Sequence, residues 1–267
     1  MSLSYKSGMM SKIRCGEPIT RCGLTLYPIQ MSDYEQFMEC RSVWTLRLGT
    51  LPVKYQMLDY ISALYSLEMD TISAYGAKTG FFERAIRLFY LSLRIGVEKI
   101  ADTFRITEKD IGGNRVLDEL IIVLEDREMR IKSFEFSTQI RPLVAEMNGL
   151  ELPDESENLD LVKDIEELQS KAQGKPLNQN LNDLISSVAY QSHVSEKEIN
   201  TWTVREFEAR KRAIDRDKRY MMYGQAELGG MVSFKQGNPA PSWCFDAIED
   251  SLDNHGLEML GKAFGQN

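Results

Sequence analysis

The chain has 267 residues, 43% of them hydrophobic, which is enough to build a real core in one large domain or two small ones and excludes global disorder. Its formal net charge of −8 makes the molecule as a whole repel phosphate backbones, so a nucleic-acid site would have to be a local basic patch. No window approaches about 18 consecutive apolar residues, so neither a membrane span nor a signal peptide is expected, and no membrane partner.

Leu24-Thr25-Leu26-Tyr27 is apolar and β-prone and follows a glycine-containing turn at Arg21-Cys22-Gly23, which predicts a short β-hairpin. Ser32-Asp33-Tyr34-Glu35 matches a capping box and opens a helix through about Leu46, with Tyr34, Phe37, Met38 and Val43 mostly on one face. After Pro52, the run from Val53 to Met69 has Met57, Ile61, Leu64 and Tyr65 at helical spacing and predicts a second helix. Phe81 to Ile95 is apolar almost all round, apart from Glu83, Arg84, Arg87 and Arg94. A helix of that kind, with Leu88 and Phe89 in its middle, belongs at the centre of a bundle.

Between Thr107 and Leu152 the texture changes. Leu120 to Leu124 is a continuous apolar run, and Met129, Ile131, Phe134 and Phe136 alternate with charged residues. Two or three strands, or a helix and two strands, fit this segment. Leu159, Val162, Ile165 and Leu168 then mark a surface helix stopped by Gly174 and Pro176, and Leu181 to Tyr190 marks another short helix. Capping boxes recur at Ser195 to Glu198 and at Thr203 to Glu206. The box at Thr203, the third in the chain, opens a long helix that ends at Gly229-Gly230, followed by a tail with a strand-like run, a proline-rich turn and at most one short helix. The predicted fold is therefore mainly α (α+β), a helical bundle with an N-terminal β-hairpin and a small central α+β insertion. In domain terms, residues 1–106 form the hairpin and a helical region, 107–152 the insertion, and 153–267 a helical C-terminal region with an irregular tail.

The long helix, "VREFEARKRAIDRDKRYMMYGQAEL" from Val204 to Leu228, is the candidate working surface. At about 100° per residue, Phe207, Ile214, Met221 and Leu228 fall seven apart on one narrow line, flanked by the stems of Lys211 and Lys218. Arg205, Arg212, Arg216 and Arg219 make a second line on the opposite side. Glu206, Glu208 and Asp215 stand four residues before Arg210, Arg212 and Arg219, the favourable order for helical ion pairs, so the arginines are expected to be largely neutralised. The plain reading is a solvated charged face on a helix packed by its apolar line. A protein-binding face would use Phe207, Ile214, Met221 and Leu228 with Arg212 and Arg216. Nucleic-acid binding through the basic helix, residues 204–228, is the alternative, and the flanking carboxylates would oppose the counterion release it needs.

No residue set carries chemistry. Glu125 to Glu128 and Asp164 to Leu168 are carboxylate-rich but read as solvated faces. Gly112-Gly113 and Gly229-Gly230 lack the spacing and the following Lys-Ser/Thr of a phosphate loop. Cys15, Cys22, Cys40 and Cys244 are irregularly spaced and far in sequence from His193 and His255, so no zinc pattern results and free thiols in a reducing, cytoplasmic compartment are expected. Cys15 and Cys22 could face each other across the hairpin or serve in its packing. Trp202 and Trp243 read as core anchors. No catalytic residue, metal or cofactor is expected, and the chain reads as a non-enzyme.

Three stretches together resemble the tail-module proteins of Gram-positive siphophages and prophages, of the tail assembly chaperone kind. They are "GEPITRCGLTLYPIQMSDYEQF", "INTWTVREFEARKRAI" and "GGMVSFKQGNPAPSWCF", a similarity of layout spread over about a third of the chain. The resemblance implies a mostly helical, acidic, non-enzymatic protein of the host bacterial cytoplasm. It would hold the long tape-measure protein soluble, or bind the tail tube, during virion morphogenesis, and could self-associate.

Overall fold

In a computed structural model, which describes residues 3–111, 114–124, 127–155, 180–230, 233, 240, 242 and 243, the chain divides into two units. One comprises residues 1–159 with 200–205, the other residues 160–199 with 206–267. The first opens with helix α1 (Leu3–Arg14) and the hairpin β1 (Ile19–Arg21) and β2 (Leu24–Leu26). Cys22 and Gly23, the two residues of the hairpin turn, both have positive φ, at 50° and 75°. That backbone twists the same way as the paired strands and selects a glycine-containing dipeptide. Leu24 and Leu26 point into the core. Cys15 lies outside the strand pairing and is exposed, so the two cysteines are not cross-strand neighbours.

Helix α2 (Tyr34–Trp44) starts where the capping pattern places it, but the box does not form. Met31–Asp33 is wound as a 3-10 turn, and the Ser32 hydroxyl is directed to Asp33 Oδ2 at 3.4 Å. Ser32 therefore lacks the extended backbone of an N-cap. Entry into α2 is set instead by long-range pairing: Met31 N–H donates to the Trp202 carbonyl, and Gln30 bridges Thr203. Met38, expected on the apolar face, is partly exposed, and Cys40 is buried there.

The run after Pro52 forms two helices, α3 (Val53–Gln56) and α4 (Tyr60–Tyr75), where one was expected. The break is at Asp59, whose carboxylate accepts the Ser62 amide at 3.2 Å and so caps α4. Met57 falls in the break and is 87% exposed, whereas Ile61, Leu64 and Tyr65 are buried. Helix α5 (Phe81–Leu93) packs against both α2 and α4, with Ala85, Leu88, Phe89 and Ser92 at 0% exposure. Its second half, Leu88 to Leu93, is buried on every side, as that central position requires, while Glu83 and Arg87 in the first half pair at the surface.

A short helix α6 (Ile100–Thr103) leads into an antiparallel sheet of order β3-β4-β5, comprising β3 (Phe104–Ile111), β4 (Asn114–Leu124) and β5 (Arg127–Lys132). Pairing passes from Thr107↔Glu119 to Glu108↔Leu117, which leaves Asp118 as an extra residue. This bulge resets the two-residue alternation, so Leu117 shares full burial with Leu120 and Ile122. The face they share with Ile131 lies on the helices, β4 packing on α4. The opposite face carries ion pairs such as Lys109 to Asp118 at 3.0 Å and Arg130 to Glu119 at 3.4 Å.

The alternation read through Phe134 and Phe136 does not continue as a strand. β5 ends at Lys132, and the chain turns helical as α7 (Ser133–Glu135), a π-helical turn (Phe136–Ile140) and α8 (Arg141–Met147). Phe134 is exposed and Phe136 fully buried. Pro142, in the first turn of α8, has no N–H for the Thr138 carbonyl and would clash with it in a regular helix, which accounts for the widened turn. The expected insertion, residues 107–152, thus lies within the first unit, where its strands and helices share one core with α2, α4 and α5. At the centre of that core Trp44 meets Phe136 at 5.8 Å and Tyr60 at 6.4 Å, and Phe89 meets Phe136 at 5.1 Å, all edge to face.

Arg141, itself buried, donates from Nε and one terminal nitrogen to the Trp44 carbonyl, and from that same nitrogen to the Leu46 carbonyl. Its guanidinium lies 3.6 Å from the centre of the Tyr60 ring. It thereby occupies the carbonyl end of α2, where a cation is favoured by the helix dipole.

Cys15, Cys22 and Cys40 carry free thiols in different settings. Burial pushes the Cys40 thiol up to about 11, and burial with the nearby Glu135 charge raises that of Cys22. Because the thiolate is the reactive species, Cys15 should react rapidly with a disulfide reagent at mildly alkaline pH, Cys22 more slowly, and Cys40 only after denaturation. Mass mapping of the labelled peptides checks this order. Rapid native labelling of Cys40 would show that α2 does not bury it against the core.

Candidate partner-binding helix

The second unit contains α9 (Leu181–Ser192), α10 (Glu196–Ile199) and most of α11 (Val204–Leu228). Asn180 caps α9 by accepting the Asn182 amide at 3.1 Å, and His193 closes it in the left-handed conformation. In the second of the predicted boxes Ser195 Oγ accepts the Glu198 amide at 3.2 Å. Helix α11 begins directly after Thr203, as the third box predicts, and ends at Gly229-Gly230.

The start of α11 belongs to the first unit. Val204 N–H donates to the Ile29 carbonyl at 2.9 Å, Trp202 and Val204 are buried, and Arg205 donates to the Glu146 carbonyl and pairs with its carboxylate at 3.4 Å. Arg205 is therefore committed to holding the helix in place. It is not part of a free basic line.

From there the four heptad-spaced residues diverge. Phe207 is 0% exposed and serves as a core anchor. Ile214 is half-buried, Met221 is 53% exposed and Leu228 is 92% exposed. Tyr220 and Met222, which heptad spacing alone does not select, are exposed beside Met221. The signal that could have found them is the triplet Tyr220-Met221-Met222 in an otherwise charged helix. Beside Ile214, a shallow groove of about 460 Å³ runs between α9 and α11, lined by Leu184, Val188 and Tyr190 on one side and Lys211 and Lys218 on the other.

The pairings along the basic line differ from those its spacing suggests. Glu206 does pair with Arg210, at 3.6 Å. Glu208 pairs instead with Lys211 at 2.8 Å, because an i,i+3 partner lies on the same face. Arg212 is exposed and has no carboxylate partner among the described residues, and Asp215 makes no ion pair there. Arg216 Nε donates to the Trp243 carbonyl at 2.8 Å. Trp243 itself is 60% exposed and is no core anchor, unlike Trp202.

The surface helix expected over Leu159 to Leu168, the Gly112-Gly113 pair and most of the tail lie outside the described residues. Among the described residues, no group of three or more His, Cys, Asp or Glu is placed to hold a metal ion, and no helix is long and apolar enough to cross a membrane. No protein-family model, curated protein or solved structure matches this chain.

Proposed function

We propose that this protein is a non-enzymatic assembly protein of a phage or prophage tail, acting in the host bacterial cytoplasm. It binds the tape-measure protein or another tail component while the tail is built. The observation that supports this reading is the second half of α11, where Tyr220, Met221, Met222 and Leu228 leave apolar surface in solvent on a long, otherwise charged helix. Exposed apolar side chains of this kind suit a helical partner read through residues three to four apart, and methionine adapts to more than one packing. Ile214, Met221 and Leu228 form the line of contact with Arg212 free to pair with a partner carboxylate, while Phe207 anchors the helix from within. Nucleic acid is the less favoured partner, since Arg205 and Arg216 are already engaged and the chain is acidic.

Substituting both Ile214 and Met221 with Glu tests the reading. The double variant should keep its helicity and lose no more than about 1 kcal/mol of stability, because neither side chain is fully buried. Co-expression with the long tail client should then leave that client insoluble. A double variant that is folded and still keeps the client soluble overturns the proposed contact line.

A further inference from the structure

We propose that a pocket between α4, α5 and the start of β3 binds an organic cation, a primary ammonium carried on an aliphatic or aromatic body. The pocket has a volume of about 390 Å³, within the range of small-molecule sites. Its walls are mostly apolar, with Met69 and Ile72 from α4, Phe82 and Ile86 from α5, and Val97 and Phe104 closing the far side. Phe82 and Phe104 are neighbours, with ring centres 6.2 Å apart, and aromatic faces attract ammonium groups.

Into this apolar lining α4 places Glu68, which is 4% exposed. Its Oε2 accepts a hydrogen bond from the Thr79 hydroxyl. Its Oε1 has no hydrogen-bond partner among the described residues, and no Lys or Arg there forms an ion pair with the carboxylate. A carboxylate oxygen left open toward an apolar lining is a ready acceptor for a charged donor, and such charge-assisted hydrogen bonds are stronger than neutral ones. An ammonium occupying the pocket supplies both the charge and the missing donor, while its hydrocarbon body covers the apolar wall.

The remaining charges select for a cation as well. Three carboxylates line the pocket, Glu68, Glu83 and Glu98, against two basic residues, Lys78 and Arg87. Arg87 is already paired with Glu83 at 2.7 Å. Lys78 is exposed at the rim and forms no ion pair among the described residues. It is the chain's own competitor for Glu68, tethered on the loop between Gly76 and Gly80. This inference is independent of the α11 surface, which lies elsewhere in the chain.

Calorimetric titration of the full chain with hexylammonium tests the assignment, with hexanol and hexanoate as neutral and anionic counterparts of the same length. Hexylammonium should bind, hexanol at least about tenfold more weakly, since a hydrogen bond to a charged group carries that much discrimination, and hexanoate more weakly still. Glu68→Gln should reduce hexylammonium affinity by about tenfold or more, and Lys78→Met should leave it equal or higher. Hexanol binding as tightly as hexylammonium, hexanoate binding best, no binding of hexylammonium, or a folded Glu68→Gln that binds as well as the parent overturns the proposal. If Glu68→Gln does not fold, Ala101→Trp decides. Ala101 is exposed and lines the pocket, so the indole should fill it without touching the core and abolish binding; full affinity in that variant overturns the proposal. A helical peptide bearing a single lysine identifies the source. Competition with hexylammonium assigns the cation to a polypeptide partner, and its absence assigns it to a free amine, and either result upholds an ammonium site.

Discussion

Phe89→Ala should lower the stability of the first unit by about 3–5 kcal/mol, the range for truncating a fully buried aromatic side chain. Phe89 has no exposed surface and sits in the middle of α5, with its ring edge to face against Phe136 at 5.1 Å and against Tyr90 at 6.3 Å. Truncation therefore removes apolar transfer energy, opens a cavity and breaks two aromatic contacts. The surrounding residues can relax little, because Phe136 is itself wedged against Trp44 at 5.8 Å. Leu88→Ala, at 0% exposure in the same helix, should cost about 2–5 kcal/mol. Met57→Ala serves as the counterpart. It removes a side chain that the sequence pattern also places on an apolar face but that is 87% exposed, so its effect should stay within about 0.5 kcal/mol. Urea unfolding followed by tryptophan fluorescence measures all three. A loss below about 1 kcal/mol for Phe89→Ala would falsify the central position of α5.

The second large effect concerns a polar group. Asp59→Ala should cost about 2–4 kcal/mol, the sum of a lost helix cap and of hydroxyls left without their charged acceptor. Oδ1 of Asp59 accepts the Ser62 amide at 3.2 Å and the Ser137 hydroxyl at 2.8 Å, and Oδ2 accepts the hydroxyls of Ser62 at 2.9 Å and Ser133 at 3.0 Å. One carboxylate thereby ties the start of α4 to the turn after β5 and to the π-helical turn. Ser137 Oγ in addition accepts the Ile61 amide at 3.1 Å, so the first turn of α4 is held from outside as well as by its cap. Asp59→Asn should lose less, because the amide oxygen can still cap α4. Ser133→Ala added to Asp59→Ala should cost less than the two single changes summed, since Ser133 is buried and its acceptor is already gone. Additive losses, or a loss under about 0.5 kcal/mol for Asp59→Ala, would show that the cluster does not act as a unit.

What could be read from residue order was local. The hairpin was legible because a Cys22-Gly23 turn with positive φ needs no distant partner to be favoured. The position of α5 was legible because a helix apolar on nearly every side can only be central. The starts of α9 and α11 and the glycine pair ending α11 were legible for the same kind of reason, since caps and terminators act within one turn. The candidate site was legible only in part. Heptad spacing draws Phe207, Ile214, Met221 and Leu228 on one line, but their burial runs from none exposed to almost wholly exposed, because what covers a helix depends on where it meets other elements.

By itself, then, the sequence determined the mainly α class with small antiparallel sheets, the central helix and the long charged helix, all products of periodicity and composition that every local segment carries. Tertiary structure alone decided that the Asp59 carboxylate also binds serines more than seventy residues away, and the entry into α2, which depends on pairing with Trp202 and Thr203. It alone decided the bulge at Asp118 that turns Leu117 inward, and the burial of Glu68 among apolar neighbours from α4, α5 and β3. Each of these sets one residue's environment by contacts between chain segments far apart in sequence. The free energy of burial and hydrogen bonding belongs to those contacts, so no local pattern of residue types encodes it.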